Sequence, residues 1–145
     1  MDPAKAIIEK LGLMPHPEGG WYRETWRAAP GSDGRSKGTS IHFLLEQGQR
    51  SHWHRVDAEE WWLWHAGSPL DLHIADAADE NPVTTRLGGD PTQGYAPQCL
   101  VPASRWQATE APHGWALVSC IVVPGFDFAG FELAPPNWSP RNNIT

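Results

Sequence analysis

The sequence predicts one all-β domain, a sandwich or a jelly-roll barrel, with a short helix at its N-terminus. Three observations carry that expectation. Eight or more short, bulky strand candidates follow one another after residue 20. Gly- or Pro-containing breaks separate most of them, and no second long helical pattern appears. With 14 Gly and 14 Pro among 145 residues, the chain is built for many turns.

Residues 2–13 read as an amphipathic helix. Asp2 can cap it, Pro3 suits its first turn, and Ala6, Ile7, Lys10 and Leu11 recur at helical spacing before Gly12 offers a stop. Residues 16–20, His-Pro-Glu-Gly-Gly, form a turn into a strand at 21–26, and residues 30–38 form a hairpin loop. Strands are then expected at 39–46, 51–55, 60–65, 70–75, 84–87, 98–101, 106–109 and 115–123. Residues 135–145 are polar and Pro-rich and read as a loosely packed tail. No repeat or linker divides the chain, so residues 1–145 are expected to form a single domain with its core at about 10–134.

Composition narrows the function classes. The net charge of -6 and the scattered basic residues argue against a nucleic-acid partner. No apolar run is long enough to span a bilayer, and the first residues lack the look of a signal peptide, so a cytoplasmic protein is expected, with no membrane partner. Cys99 and Cys120 are too few for a thiolate zinc site or a disulfide framework, although one bridge between them is allowed.

The chemistry concentrates between Gly48 and Gly67. In a regular strand alternate side chains share a face, so His52 and His54 are expected to point the same way. If that parity survives the turn near 56–58, Glu60, Trp62 and Trp64 join them. Two imidazoles and a carboxylate inside a barrel could hold a divalent metal or serve as general acid and base. The two indoles could stack on a flat ligand or simply fill core. His42 shares a strand with Ser40 and Leu44 and is a further candidate to face the pocket.

At these residues the chain resembles the cupin superfamily. The first cupin motif is a Gly, His-x-His, a Glu, and a Gly six residues beyond it; Gly48, His52, His54, Glu60 and Gly67 follow it with altered gaps. The second motif falls at residues 94–107. Its turn reads Pro102-Ala103-Ser104 where Gly is expected at the third place, and Gln107 stands where the pattern has its last His ligand. Gln is a poor transition-metal ligand, which counts against bound metal, yet its amide could bind substrate. Segments 16–25, 39–45, 51–55, 87–98, 101–107 and 124–128 together are similar to the small-cupin family cupin 5, with His42 where Tyr is more usual.

The resemblance implies a jelly-roll subunit, usually a homodimer, similar in fold to sugar epimerases, with no established reaction. Two functions are carried forward. One is an isomerase- or epimerase-like enzyme acting on a small polar molecule such as a sugar or nucleotide sugar. There His54 would be the base, Glu60 would orient it, and Gln107 would bind the developing oxyanion, with His52, Trp62, Trp64 and His42 around the ligand. The other is a non-catalytic module that binds or senses a small ligand. A structural network among His54, Glu60 and Gln107 is the plain alternative to both, and for Glu18 with Arg23 an exposed ion pair is the plain alternative to a pocket-rim or dimer role.

Overall fold

The computed structural model describes residues 2–141. Helix α1 (Pro3–Leu11) starts where the Asp2 side chain accepts from the Ala4 N–H, and it ends at Gly12 with φ 65°. Eleven strands follow: β1 (Met14–Pro15), β2 (Trp21–Arg27), β3 (Thr39–Leu45), β4 (Arg50–Val56), β5 (Glu59–Gly67), β6 (Leu70–Ala75), β7 (Val83–Leu87), β8 (Gln98–Val101), β9 (Trp106–Glu110), β10 (Ala116–Val123) and β11 (Phe131–Leu133).

They build two antiparallel sheets, β1-β2-β3-β10-β5-β8 and β11-β4-β9-β6-β7, the arrangement expected of a jelly-roll barrel. The very short strands β1 and β11 carry no alternation that a sequence could display. Between the sheets, one end of the barrel is solid. Phe43, Leu45, Trp62, Leu70, Leu72, Leu87, Val101 and Val118 pack there, all nearly inaccessible to solvent. Their burial supplies the hydrophobic drive for closure.

Ser104, where the cupin pattern that the chain resembles has Gly, sits in the left-handed region at φ 67°, a conformation that favours Gly. Cys99 and Cys120 are free thiols, so no disulfide links the strands. The described part of the tail is not loose. Trp138 lies 4.5 Å from Trp106 and 6.4 Å from Trp53, ring centre to ring centre, and the Arg141 N–H donates to the Ala78 carbonyl. Residues 142–145 of the predicted loose tail lie outside the described residues. Among the described residues, no helix is long and apolar enough to cross a membrane.

Candidate functional site

The other end of the barrel is open, and a bulge in β4 decides what faces it. Ser51 pairs with Thr109 and His54 with Gln107, so His52 and Trp53 together oppose the single position 108 of β9. That extra residue breaks the alternation. Ser51 and His54 both point inward, and His52 does not share their face. The His52 Nε2 lies 2.9 Å from the Pro135 carbonyl, and Trp53 packs on the outer cluster with Trp106 and Trp138.

The turn at 16–20 closes over this end of β4. His16 N–H donates to the Gly20 carbonyl, Gly19 N–H donates to the His16 carbonyl, and the His52 N–H donates to the Glu18 carbonyl at 2.7 Å. The turn thereby delivers Glu18 into the barrel. Its Oε2 lies 3.1 Å from His54 Nε2, and its Oε1 accepts from Ser51 Oγ at 2.9 Å. The sequence offers Glu18 and Arg23 as an exposed ion pair or for a pocket-rim or dimer role; in the fold Glu18 is buried, while Arg23 reaches the Leu11 carbonyl at the surface.

The tautomer of His54 follows from geometry. Its Nδ1 lies 2.7 Å from the His52 carbonyl oxygen, which can only accept, so Nδ1 carries hydrogen and Nε2 turns to Glu18. One proton then serves the contact between them. Burial pushes the Glu18 carboxyl up from 4.5 to about 8, and burial also lowers His54. Both shifts favour a protonated carboxyl donating to a neutral imidazole. His16 belongs to the same cluster: its Nδ1 accepts from the Glu18 N–H, and burial, aided by His54, drops its pKa to about 4.

Glu60 enters from the facing sheet. Its carboxyl is raised to about 7, first by burial and further by Glu18, against the opposing pull of His54 and Gln107. Gln107 Nε2 donates to Glu60 Oε1 at 3.0 Å, and Trp62 Nε1 donates to Gln107 Oε1 at 2.9 Å. This relay fixes the amide's orientation, because the indole can only donate.

The cavity encloses about 440 Å³, within the range of roughly 300–1,000 Å³ usual for small-ligand sites. His16, Glu18, Thr39, His54, Glu60 and Cys120 lie on its wall, Tyr22, Ile41, Val56 and Val122 add apolar surface, and Glu24, Arg27, Phe126, Asp127 and Phe128 complete the lining. Of the residues expected around the ligand, His54 and Glu60 line it. Gln107 stands behind Glu60 with no exposed surface. Trp62 and Trp64 do point inward, but at the filled end: Trp62 packs edge-on against Phe43, and Trp64 donates its indole N–H to the Ser68 carbonyl. His42 lies on the other face of β3, since Thr39 and Ile41 are the β3 residues that line the cavity.

The fold, the paired motifs and the open barrel end can be set beside known proteins. The model of the cupin superfamily family cupin 5 (DUF985) matches residues 5–134. The chain belongs to this cupin family. Two solved cupin-like structures are similar over nearly all of it. Protein SO0799 from Shewanella oneidensis is 39% identical, with a TM-score of 0.85 and coverage of 92% of this chain and 85% of that one. A hypothetical protein from Leishmania major is 35% identical, with a TM-score of 0.79 and coverage of 93% and 89%. Oxalate decarboxylase from Bacillus subtilis shares the fold at 16% identity and a TM-score of 0.62, over 82% of this cupin and 29% of that chain. No curated protein matches.

The metal set expected of the cupin motifs, His52, His54 and Glu60, does not converge here. The bulge turns His52 outward, and Gln107 is already engaged at both ends of its amide. Among the described residues, no group of three or more His, Cys, Asp or Glu is placed to hold a metal ion.

Proposed function

We propose that this cupin binds a small polar carbonyl compound, of the kind a sugar presents, and moves a proton at the carbon beside the carbonyl, as an isomerase or epimerase does. The observation that carries this reading is the Glu18–His54 contact at the cavity wall, opposed by a second buried carboxyl at Glu60. Groups whose ionisation is pulled toward neutral pH in one cavity are suited to proton transfer.

In the step proposed, Glu18 turns its proton away from His54 Nε2, which then takes the proton from carbon; the C–H electron pair becomes the C=C bond of an enol, and the C=O π pair takes the proton that Glu60 gives. The Glu18–His54 pair gains one proton and Glu60 loses one, so charge balances; return of the proton to the other face or to the neighbouring carbon, with a hydroxyl proton of the enol or enediol going back to Glu60, gives product. Glu60, not Gln107, would meet the oxyanion, because Gln107 has no cavity surface. His54 is oriented by the His52 carbonyl and Glu18.

The test is deuterium exchange. The protein is incubated in deuterium oxide with aldoses, ketoses, amino sugars and nucleotide sugars, and carbon-bound deuterium is read by NMR. Exchange by the wild type that His54→Gln loses supports the reading. Exchange that survives His54→Gln removes His54 as the base, and binding of a compound without exchange favours a non-catalytic binding module. That second reading is supported by the occupied state of His54 Nε2, which already accepts from Glu18.

A further inference from the structure

The mouth of the cavity has a charge and a surface that the acid–base cluster does not require. Only one of its lining residues is a Lys or Arg, Arg27, against the carboxyl groups of Glu18, Glu24, Glu60 and Asp127. Arg27 already has a carboxylate partner, with only its Nη1 left over. Its Nη2 and Nε donate to the two oxygens of Glu24 at 2.7 and 3.3 Å, and Nη2 also reaches the Phe126 carbonyl at 3.2 Å. A forked guanidinium spent in this way is neutralised by its partner. Asp127 adds a second carboxylate to the rim; its Oδ1 accepts from the Ala129 N–H, and the nearby Arg35 guanidinium is forked onto Asp57.

Aromatic rings stand beside that charge. Phe126 and Phe128 meet edge to face at 4.8 Å, and Phe128 keeps 57% of its surface exposed at the opening. Tyr22 lines the same cavity and contacts His16 at 4.4 Å. A large ring held out at a cavity mouth costs burial that the fold could have used, and its negative π face attracts cations. Deeper in, Glu60 spends Oε1 on Gln107 and lies beside Cys120 on the cavity wall.

We infer that the ligand of this cavity is a small organic ammonium compound, an amino-bearing molecule rather than a phosphorylated or nucleotide-linked one, held by Asp127 and the Phe126–Phe128 rings at the mouth. The inference rests on the small-molecule pocket proposed above and names its substrate class. An ammonium group would meet carboxylate and π faces at the rim, and an ionised Glu60 would be favoured by its approach. A phosphate would face Glu24 and Asp127 with the one guanidinium already paired.

The experiment is a charge series on one shape. Choline, 3,3-dimethylbutan-1-ol and 3,3-dimethylbutyrate carry nearly the same bulky end with positive, zero and negative charge. Binding of each to the purified full chain is measured by ligand-detected NMR titration at pH 7. Choline is expected to bind at least about tenfold tighter than the butyrate, with the alcohol between. Asp127→Asn should shrink the choline-to-butyrate ratio several-fold while keeping the Ala129 cap, and Phe128→Ala should weaken choline more than the alcohol. Equal or tighter binding of the anion overturns the inference, as does failure of choline to bind. Either failure alongside His54-dependent deuterium exchange leaves the proton-transfer reading standing. Cation preference without exchange sinks that reading and keeps this one.

Discussion

Gly19 lies against Arg50 so closely that a β-carbon at 19 would overlap the Arg50 carbonyl oxygen. The contact sets the depth of the 16–20 turn, and Gly19 adopts φ 111°, a conformation that side chains resist. Both features bear on Glu18, the residue before it. Gly19→Ala is expected to lift the turn off β4, separate Glu18 from His54 and cost about 3 kcal/mol from clash and strain together. Urea denaturation gives the cost, and a rise of the His54 pKa in the variant reports the separation. A variant as stable as wild type, with His54 unmoved, would show that the turn tolerates a side chain.

The two histidines of His-x-His are expected to behave differently. His52→Ala removes an outer-face contact to the Pro135 carbonyl and should cost about 0.5–1.5 kcal/mol while leaving the cavity groups unchanged. His54→Gln should abolish deuterium exchange with little change in melting temperature, because an amide can replace the neutral imidazole's hydrogen bonds. Nitrogen-15 NMR of the wild type should show His54 as the neutral Nδ1–H tautomer at pH 6. The opposite tautomer, or equal losses of exchange in both variants, would contradict the bulge-defined faces.

Trp62, one layer behind the cavity, is expected to act on Glu60 through Gln107. Trp62→Phe keeps the ring in the core but leaves Gln107 Oε1 buried without its donor, a loss of about 1–3 kcal/mol. With the amide free to turn over, Glu60 loses a donor that lowers its pKa, and its pKa should rise. Stability by denaturation and Glu60 by carbon-13 NMR check both halves. A loss of stability with Glu60 unmoved would reduce Trp62 to packing alone.

These outcomes turn on features that were unequally legible in the sequence. Regular strands were readable: β6 at Leu70–Ala75 and β8 at Gln98–Val101 fall at the residues that patterning selects, because each is bounded by turn residues. The β5 parity was readable too, with Glu60, Trp62 and Trp64 all inward. A bulge has no compositional mark, so the faces of His52 and His54 could not be read from period two. Glu18 was hidden for another reason. Its partner His54 is 36 positions away, and only the tight Gly19-Gly20 pair hinted that this turn packs against backbone. The division of the barrel into filled and open ends depends on how much volume each layer supplies, which alternation does not report.

The outer face of the six-stranded sheet is expected to meet a second copy of the chain. Trp26, Ser40, Ile121, Trp61 and Leu100 stand in register across β2, β3, β10, β5 and β8, with Trp26 54% and Trp61 38% exposed. Sedimentation velocity at micromolar concentration should give a dimer, and Trp61→Arg should shift it toward monomer. Monomer alone in the wild type would refute this.

Stability against pH should record the four cavity groups through the signs of their shifts. Glu18 and Glu60 are raised from 4.5 to about 8 and about 7, so between those values the folded state holds more protons than the unfolded, and their contribution is lost as pH rises. His16, lowered from 6.5 to about 4, and His54, also lowered, have the opposite slope: they add stability as pH rises toward 6.5. From about pH 4.5 to 6.5 the two pairs oppose each other and the melting temperature should be nearly flat. Above 6.5 only the carboxyls still titrate, and it should fall until about pH 8. In the double variant Glu18→Gln, Glu60→Gln the imidazoles act alone, so the melting temperature should climb from pH 4.5 to 6.5 and then level off. A wild-type profile that rises between pH 6.5 and 8 would mean that these carboxyls are ionised in the folded protein and that the proton held between Glu18 and His54 is absent.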